Sequence, residues 1–121
     1  MDYSIEISAN GKYLLVVIEV DITTKNARSW MLELIELSRD TGIKQYLYDV
    51  RKVKNVSNIA DNYYYSNKDV SELNLDRSSR QAILVSPEDH SHDFIETTML
   101  NAGYEVKIFV DESEAIEWLE K

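Results

Sequence analysis

Three basic residues in one short segment have the clearest chemical potential in this sequence. Arg51, Lys52 and Lys54 lie within four positions in a chain whose formal net charge is −9. They follow a predicted strand and precede a predicted helix, where backbone N–H groups and cations together favour an anion. The cluster indicates either a pocket for an anionic head group, with Ser57 and Asn58 as hydrogen-bonding partners, or a solvated loop whose bases offset neighbouring carboxylates.

A run of tyrosines follows the basic cluster. Residues 63–65 are all tyrosine, and consecutive helix residues point about 100° apart, so at most two of them share a face. Tyr63 and Tyr64 are candidate pocket-lining residues, because tyrosine combines an apolar ring with a polar tip. The alternative is that these rings pack at the edge of the core.

Both histidines lie in the segment Asp89-His90-Ser91-His92-Asp93. An extended His-x-His pair beside carboxylates has the ligand types that zinc prefers. On a helix, however, positions i and i+2 point to different sides, and acidic residues in a first turn complement the helix dipole. We predict no metal site; if a metal ion binds, His90 and His92 are the candidate ligands.

The sequence contains little that favours catalysis. It has no cysteine, no Gly-x-Ser-x-Gly elbow, no Walker loop and no dinucleotide fingerprint. Its three glycines are each accounted for as a hairpin turn or a helix cap, which leaves none for a phosphate-binding loop. We therefore expect a non-catalytic protein without a cofactor.

The charge distribution limits the classes of partner. The net charge of −9 is expected to repel nucleic acid and anionic membranes. The charge is uneven, because residues 88–121 carry ten acidic and only two basic side chains. The N-terminus has no basic signal region, and the longest apolar run, 13–18, is too short to span a bilayer. We expect a cytoplasmic protein, whose acidic last third is either a solvated surface or a docking surface for a basic partner.

Alternating strands and helices have to position these residues. Residues 3–8 alternate in polarity, Asn10-Gly11 is a strong hairpin signal, and 13–20 is a second, apolar strand. A first helix starts at Thr23 or Thr24 and ends at Gly42. Further strands are predicted at 45–50, 81–85 and 104–110, and further helices at 57–73, 94–102 and 112–119.

The helix predicted at 57–73 begins at Ser57 as its N-cap. Its apolar stripe is expected to consist of Ile59, Ala60, Tyr63, Tyr64, Val70 and Leu73. The element order ββαβαβαβα predicts one α/β domain over residues 1–121, with a mixed sheet, an N-terminal hairpin and four helices.

Three segments carry a resemblance to a known family. They are Val20-Asp21-Ile22-Thr23, Leu47 to Val53 with Asp49 at the strand end, and Val106 to Leu119 with its Ala-x-x-Trp-Leu helix. The chain resembles the SpoIIAA-like proteins of the STAS/SEC14 group, relatives of bacterial anti-sigma-factor antagonists. The resemblance implies a STAS-like fold and a regulatory module, and a phosphorylated Ser at the second helix. That position falls on Asn58, one residue after Ser57, so Ser57 is a candidate phosphorylation site.

Two functions remain open from the sequence. The first is a STAS-like regulatory or protein-interaction module with a surface near the second helix, with homodimerisation through the hairpin edge strand or a helix face as one form of it. The second is a domain that binds an anionic amphiphile of lipid or nucleotide type at the N-terminus of the second helix. The first predicts a protein partner, and the second predicts a small anionic or apolar ligand.

Overall fold

A β-hairpin begins the fold. In the computed structural model, which describes residues 2–121, β1 (Tyr3–Ile7) and β2 (Leu14–Ile18) pair antiparallel. The turn between them contains Gly11, whose φ of 73° lies in the left-handed region that glycine adopts without strain. The backbone N–H of Lys12 donates to Asn10 Oδ1 at 3.1 Å. The hairpin predicted from Asn10-Gly11 is confirmed.

The sheet continues with three parallel strands. β3 (Gln45–Asp49), β4 (Arg80–Leu84) and β5 (Glu105–Phe109) follow β2 in space in the same order as in the chain. Residues Leu14, Tyr46, Gln81 and Val106 are neighbours across these four strands and face the same side. The predicted mixed five-stranded sheet is confirmed.

The first helix, α1 (Thr24–Thr41), has the caps that its sequence predicts. Thr23 Oγ1 accepts a hydrogen bond from the Asn26 backbone, and the Asn26 side chain accepts one from the Thr23 backbone, so the two form a capping box. Gly42 ends the helix with a φ of 77°. This helix is amphipathic, and its buried residues face the sheet.

The second helical segment differs from its prediction. It consists of α2 (Ile59–Tyr64), a π-helical turn (Tyr65–Asp69) and α3 (Val70–Glu72). The N-cap is Asn58, whose Oδ1 accepts from the backbone N–H of Asp61 at 2.7 Å. Ser57, the predicted cap, instead accepts at its Oγ from the backbone N–H of Thr24 at 2.8 Å and thereby joins this segment to α1.

The predicted apolar stripe of this segment is wrong over its first half. Ile59 is 69% exposed, Tyr63 61% and Tyr64 53%, and Ala60 is exposed as well. The buried positions are Asn62, Tyr65, Ser66, Asp69 and Val70. The reason is that the polar members of this set have partners inside the protein, which offset the cost of burying them.

The last two helices are α4 (Asp93–Asn101) and α5 (Glu112–Leu119). α4 ends one residue before its predicted limit. Asp111 caps α5, because its Oδ1 accepts from the backbone N–H of Glu114 at 3.1 Å. Among residues 2–121, no helix is long and apolar enough to cross a membrane.

The two faces of the sheet are covered unequally. α1, α4 and the segment from α2 to α3 pack on one face and enclose the larger apolar cluster. α5 packs on the other face, where a smaller cluster forms around Leu47, Ala82, Leu84, Phe109 and Leu119. The candidate site described below lies on the first of these faces.

Asp76 closes the turn that leads into β4. Its Oδ2 lies 2.8 Å from Lys44 Nζ, and its Oδ1 accepts from the backbone N–H and the hydroxyl of Ser78, both at 2.8 Å. The hydrogen bond from Lys44 and those from Ser78 hold the pKa of Asp76 well below its usual value. A carboxyl whose pKa is lowered on folding stabilises the protein above its unfolded pKa of about 3.9, and the contribution is lost as the pH falls towards the folded value.

We expect the free energy of unfolding, measured by urea denaturation, to fall as the pH is lowered below about 4. In Asp76→Asn this part of the pH dependence should be smaller, because the group that takes up the proton has been removed. The control is Asp40→Asn, which removes an exposed carboxylate near the end of α1. Equal pH profiles for Asp76→Asn and the unmodified protein would contradict the prediction.

Candidate functional site

A cavity of about 70 Å³ lies between the first face of the sheet and the helices that cover it. α1 contributes Ala27, Trp30 and Met31, and the sheet contributes Tyr48, Gln81, Ile83 and Val106. The segment from α2 to α3 contributes Asn62 and Tyr65, and α4 contributes Ile95 and Met99. Most of these side chains are apolar, as is typical of small-molecule sites.

Three buried polar groups of this lining have no partner within the described residues. They are Trp30 Nε1, Gln81 Nε2 and the Tyr65 hydroxyl. Their side chains are between 2% and 8% exposed, so bulk water does not solvate them. Because buried polar groups in folded proteins are nearly always hydrogen-bonded, three of them around one cavity require an explanation.

The neighbouring Tyr48 fixes the orientation of the Gln81 amide. The Tyr48 hydroxyl donates to Gln81 Oε1 at 2.9 Å, which leaves Nε2 as the amide group without a partner. The ring of Tyr48 also contacts that of Trp30, with centroids 5.6 Å apart. Burial, and then the proximity of Tyr65 and Tyr46, raises the pKa of Tyr48 well above its usual value, so its hydroxyl stays protonated.

Other polar residues of the lining have partners in the protein. Asn62 Nδ2 donates to the carbonyl oxygen of Asn58 at 3.1 Å, and its Oδ1 accepts from Asn55 Nδ2 at 3.1 Å. His92 Nε2 lies 3.2 Å from the carbonyl oxygen of Val53 and 3.3 Å from Asp89 Oδ2. These bonds hold the loop between β3 and α2 against α4.

The π-helical turn is fixed at both of its sides. Asp69, 6% exposed, pairs with Arg28 of α1. The hydroxyl groups of Ser66 and Thr98 are 2.7 Å apart and link the turn to α4. Turns of this kind occur often at functional sites. Tyr65, the first residue of this turn, lines the cavity.

The architecture is similar to that of a solved structure. That structure is an uncharacterised protein from the DUF3478 family with a SpoIIAA-like fold, from Shewanella loihica PV-4. The two are 23% identical with a TM-score of 0.57, over 97% of this chain and 91% of that chain. The fold is SpoIIAA-like. No family model and no curated protein matches the chain.

The SpoIIAA-like fold confirms what the sequence motifs predicted about architecture. The predicted anion site lies apart from the cavity. Arg51 forms an ion pair with Asp49, with Nη2 2.8 Å from Oδ2. Burial works to raise the pKa of Asp49, but the hydrogen bonds from Arg51 outweigh it and hold that pKa below its usual value. Lys52 and Lys54 line the same shallow surface depression as Arg51, beside Ser86, Glu88 and Asp89.

The residues predicted to complete that anion site lie elsewhere. Ser57 and Asn58 are engaged with α1 and α2, as described above, and do not line the depression. Tyr63 and Tyr64 are exposed on the outer side of α2 and line neither the depression nor the cavity. Tyr65, the third residue of the run, is the one that faces inward.

The two histidines occupy different environments. His90 is exposed, with Nδ1 3.1 Å from Asp93 Oδ2, whereas His92 is buried and bonded to Val53. Among residues 2–121, no group of three or more His, Asp or Glu side chains is arranged to hold a metal ion.

Trp30, Gln81 and Tyr65 belong to no motif that predicts a site. Two of them carried a usable signal. Gln81 is a polar residue at the start of an apolar strand, and Trp30 puts an indole N–H on the buried stripe of α1. Each therefore brings a hydrogen-bond donor into the core, and a buried donor needs an acceptor.

Proposed function

We propose that this protein is a non-catalytic binding module that holds a small, largely apolar molecule in the cavity between the sheet and its helices. One observation carries the proposal: Trp30, Gln81 and Tyr65 all line one cavity, and each has a buried polar group without a partner among the described residues. Leaving such a group unsatisfied costs about 1–3 kcal/mol. A ligand that satisfies them recovers part of this free energy on binding.

The composition of the cavity supports binding rather than catalysis. None of its lining residues is Ser, Cys, Lys, Asp or Glu, the side chains that most often act as nucleophiles. Its one imidazole, His92, has its Nε2 directed at Val53 and Asp89. The hydroxyl groups that do line the cavity belong to Thr24, Tyr48 and Tyr65, and no Lys, Asp or Glu side chain of the lining could act on them as a base.

The two tryptophans allow a direct test of the proposal. Trp30 lines the cavity, whereas Trp118 lies on the opposite face of the sheet against Phe109, with ring centroids 5.6 Å apart. We expect titration with 2-methyl-1-butene, an apolar probe of five heavy atoms, to shift the NMR signal of the Trp30 indole N–H and to leave that of Trp118 in place. Saturation is expected at millimolar concentration, since so small a probe buries little surface.

A matched variant assigns the shift to the cavity. Ala27→Leu fills space at a cavity-lining position of α1 that is 4% exposed and should abolish the shift of Trp30. Ser29→Leu adds the same side chain at an exposed position of the same helix and should not. If neither tryptophan responds in the unmodified protein, the proposal is wrong, and an interaction surface such as the exposed face of α2 becomes the better candidate for function.

A further inference from the structure

Three residues that line the cavity have polar groups without a partner, and these groups restrict the chemistry of its ligand. Trp30 Nε1 is a donor and never an acceptor, and Gln81 Nε2 carries only donor hydrogens. The carbonyl oxygen of Gln81 already accepts from Tyr48, so Nε2 is the atom of this amide that has no partner. The Tyr65 hydroxyl is the third group and has a hydrogen to donate. A ligand that satisfies all three must therefore supply acceptors.

The charge of the lining restricts the ligand further. The cavity is lined by no Lys, Arg, Asp or Glu side chain. Burial, and then the nearby carboxylate of Asp69, raises the pKa of Tyr65, so this phenol also stays neutral. The one imidazole of the lining, His92, has its Nε2 directed at Val53 and Asp89. A carboxylate or phosphate in this place would therefore be buried without a lysine or arginine beside it, which is costly. The basic residues Arg51 and Lys54 line the separate depression and do not offset such a charge.

We propose that the ligand is an uncharged carbonyl compound whose oxygen atoms accept hydrogen bonds from Trp30, Gln81 and Tyr65. This rests on the proposed function, since it specifies what binds in the same cavity. Ketones, esters and amides share this acceptor and differ in what surrounds it. The size of the cavity favours a small group: an engineered cavity of about 150 Å³ holds benzene, and this one is about half as large.

A pair of probes of equal shape tests the proposal. 2-Butanone and 2-methyl-1-butene both have five heavy atoms, and they differ in whether the double bond ends in oxygen or in CH₂. We expect the ketone to bind about fivefold more tightly, within the range that one or two hydrogen bonds supply. The ketone should also move the Trp30 indole N–H signal downfield, as a new hydrogen bond does. The alkene should change the position of this signal without moving it downfield.

Two Tyr→Phe variants distinguish a buried hydroxyl group at the cavity, which should contribute to ligand binding, from a buried hydroxyl group elsewhere, which should not. Tyr65 and Tyr104 are both buried with hydroxyl groups that have no partner among the described residues, but only Tyr65 lines the cavity. Tyr65→Phe should lower the affinity for 2-butanone about threefold and leave that for the alkene unchanged. Tyr104→Phe should change neither affinity.

The possible outcomes distinguish this inference from the proposed function. If the alkene binds as well as the ketone and Tyr65→Phe has no effect, the cavity binds apolar molecules and the carbonyl assignment is wrong. If acetate binds more tightly than 2-butanone, the conclusion that the ligand is uncharged is wrong. If none of the probes shifts Trp30, both the inference and the proposed function fail.

Discussion

Met31→Ala is expected to lower the free energy of unfolding by about 2–4 kcal/mol, as truncation of a buried methionine does. Met31 is 2% exposed and lies between α1 and the sheet, with its sulfur 4.0 Å from the Tyr48 hydroxyl. Alanine favours a helix at least as well as methionine, so the loss reflects packing and not helix propensity. Urea denaturation at neutral pH measures it.

The same substitution enlarges the candidate site, because Met31 lines the cavity. A saturating apolar probe should therefore stabilise Met31→Ala more than it stabilises the unmodified protein, through preferential binding to the folded state. Leu32→Ala is the control, since Leu32 is the next residue of α1 and is 46% exposed. Equal losses of unfolding free energy in Met31→Ala and Leu32→Ala would contradict the tight packing of Met31. Equal stabilisation of Met31→Ala and the unmodified protein by the probe would mean that Met31 does not limit the size of the cavity.

The ion pair that holds the π-helical turn should lose different amounts of stabilising free energy when its two partners are substituted one at a time. In the pair of Arg28 and Asp69, the carboxylate side chain is 9% exposed and the arginine side chain 43%. Arg28→Met keeps the apolar stem but leaves a buried carboxylate without its cation. We expect a loss of about 2 kcal/mol, less than the 3–5 kcal/mol of a fully buried pair because the arginine is half-exposed.

Asp69→Asn should cost less, about 1 kcal/mol or below, because Arg28 turns towards water and the amide oxygen still accepts a hydrogen bond. The double variant should cost less than the sum of the two single variants, since each one removes the same interaction. Lys25→Met, an exposed position on α1, serves as the matched control for the loss of a cation. An Asp69→Asn loss larger than that of Arg28→Met would contradict the burial described for the pair.

The architecture was predictable because its main elements have regular patterns. Ala27, Trp30, Met31, Leu34 and Ile35 repeat with the period of an α-helix, and all five are buried on α1. The hairpin turn and the short β-branched strands carry equally local signals. An element whose local preference and tertiary environment agree can be identified from sequence alone.

The segment from α2 to α3 was not predictable in the same way. The stripe expected from Ile59, Tyr63 and Tyr64 follows their apolar character, whereas the helix buries a different face. That face carries Asn62, Tyr65, Ser66 and Asp69, most of which are polar. Asn62 is buried through its bond with Asn55, and Ser66 and Asp69 through bonds with residues distant in sequence. One-dimensional periodicity contains no information about such pairing.

The candidate site was missed for a related reason. Its lining comes from α1, the sheet, Tyr65 and α4, which no local motif connects. The basic cluster can be identified from the sequence because charge is a property of each residue type. A hydrogen-bond donor without an acceptor can be identified only when the positions of the surrounding residues are known. Arg51, the most prominent base, turned out to be paired with its own strand end at Asp49.

The unequal covering of the sheet has a consequence for the protein while it is being synthesised. The strands join the sheet in the order in which they leave the ribosome, so each new strand pairs with one already made. Among the described residues, the helix that covers the second face is α5, which follows all five strands in the sequence. Until Glu112–Leu119 has emerged, Leu47, Leu84 and Phe109 form an open apolar surface on an otherwise assembled sheet. The part of the nascent chain described here is therefore most prone to aggregation just before α5 is added.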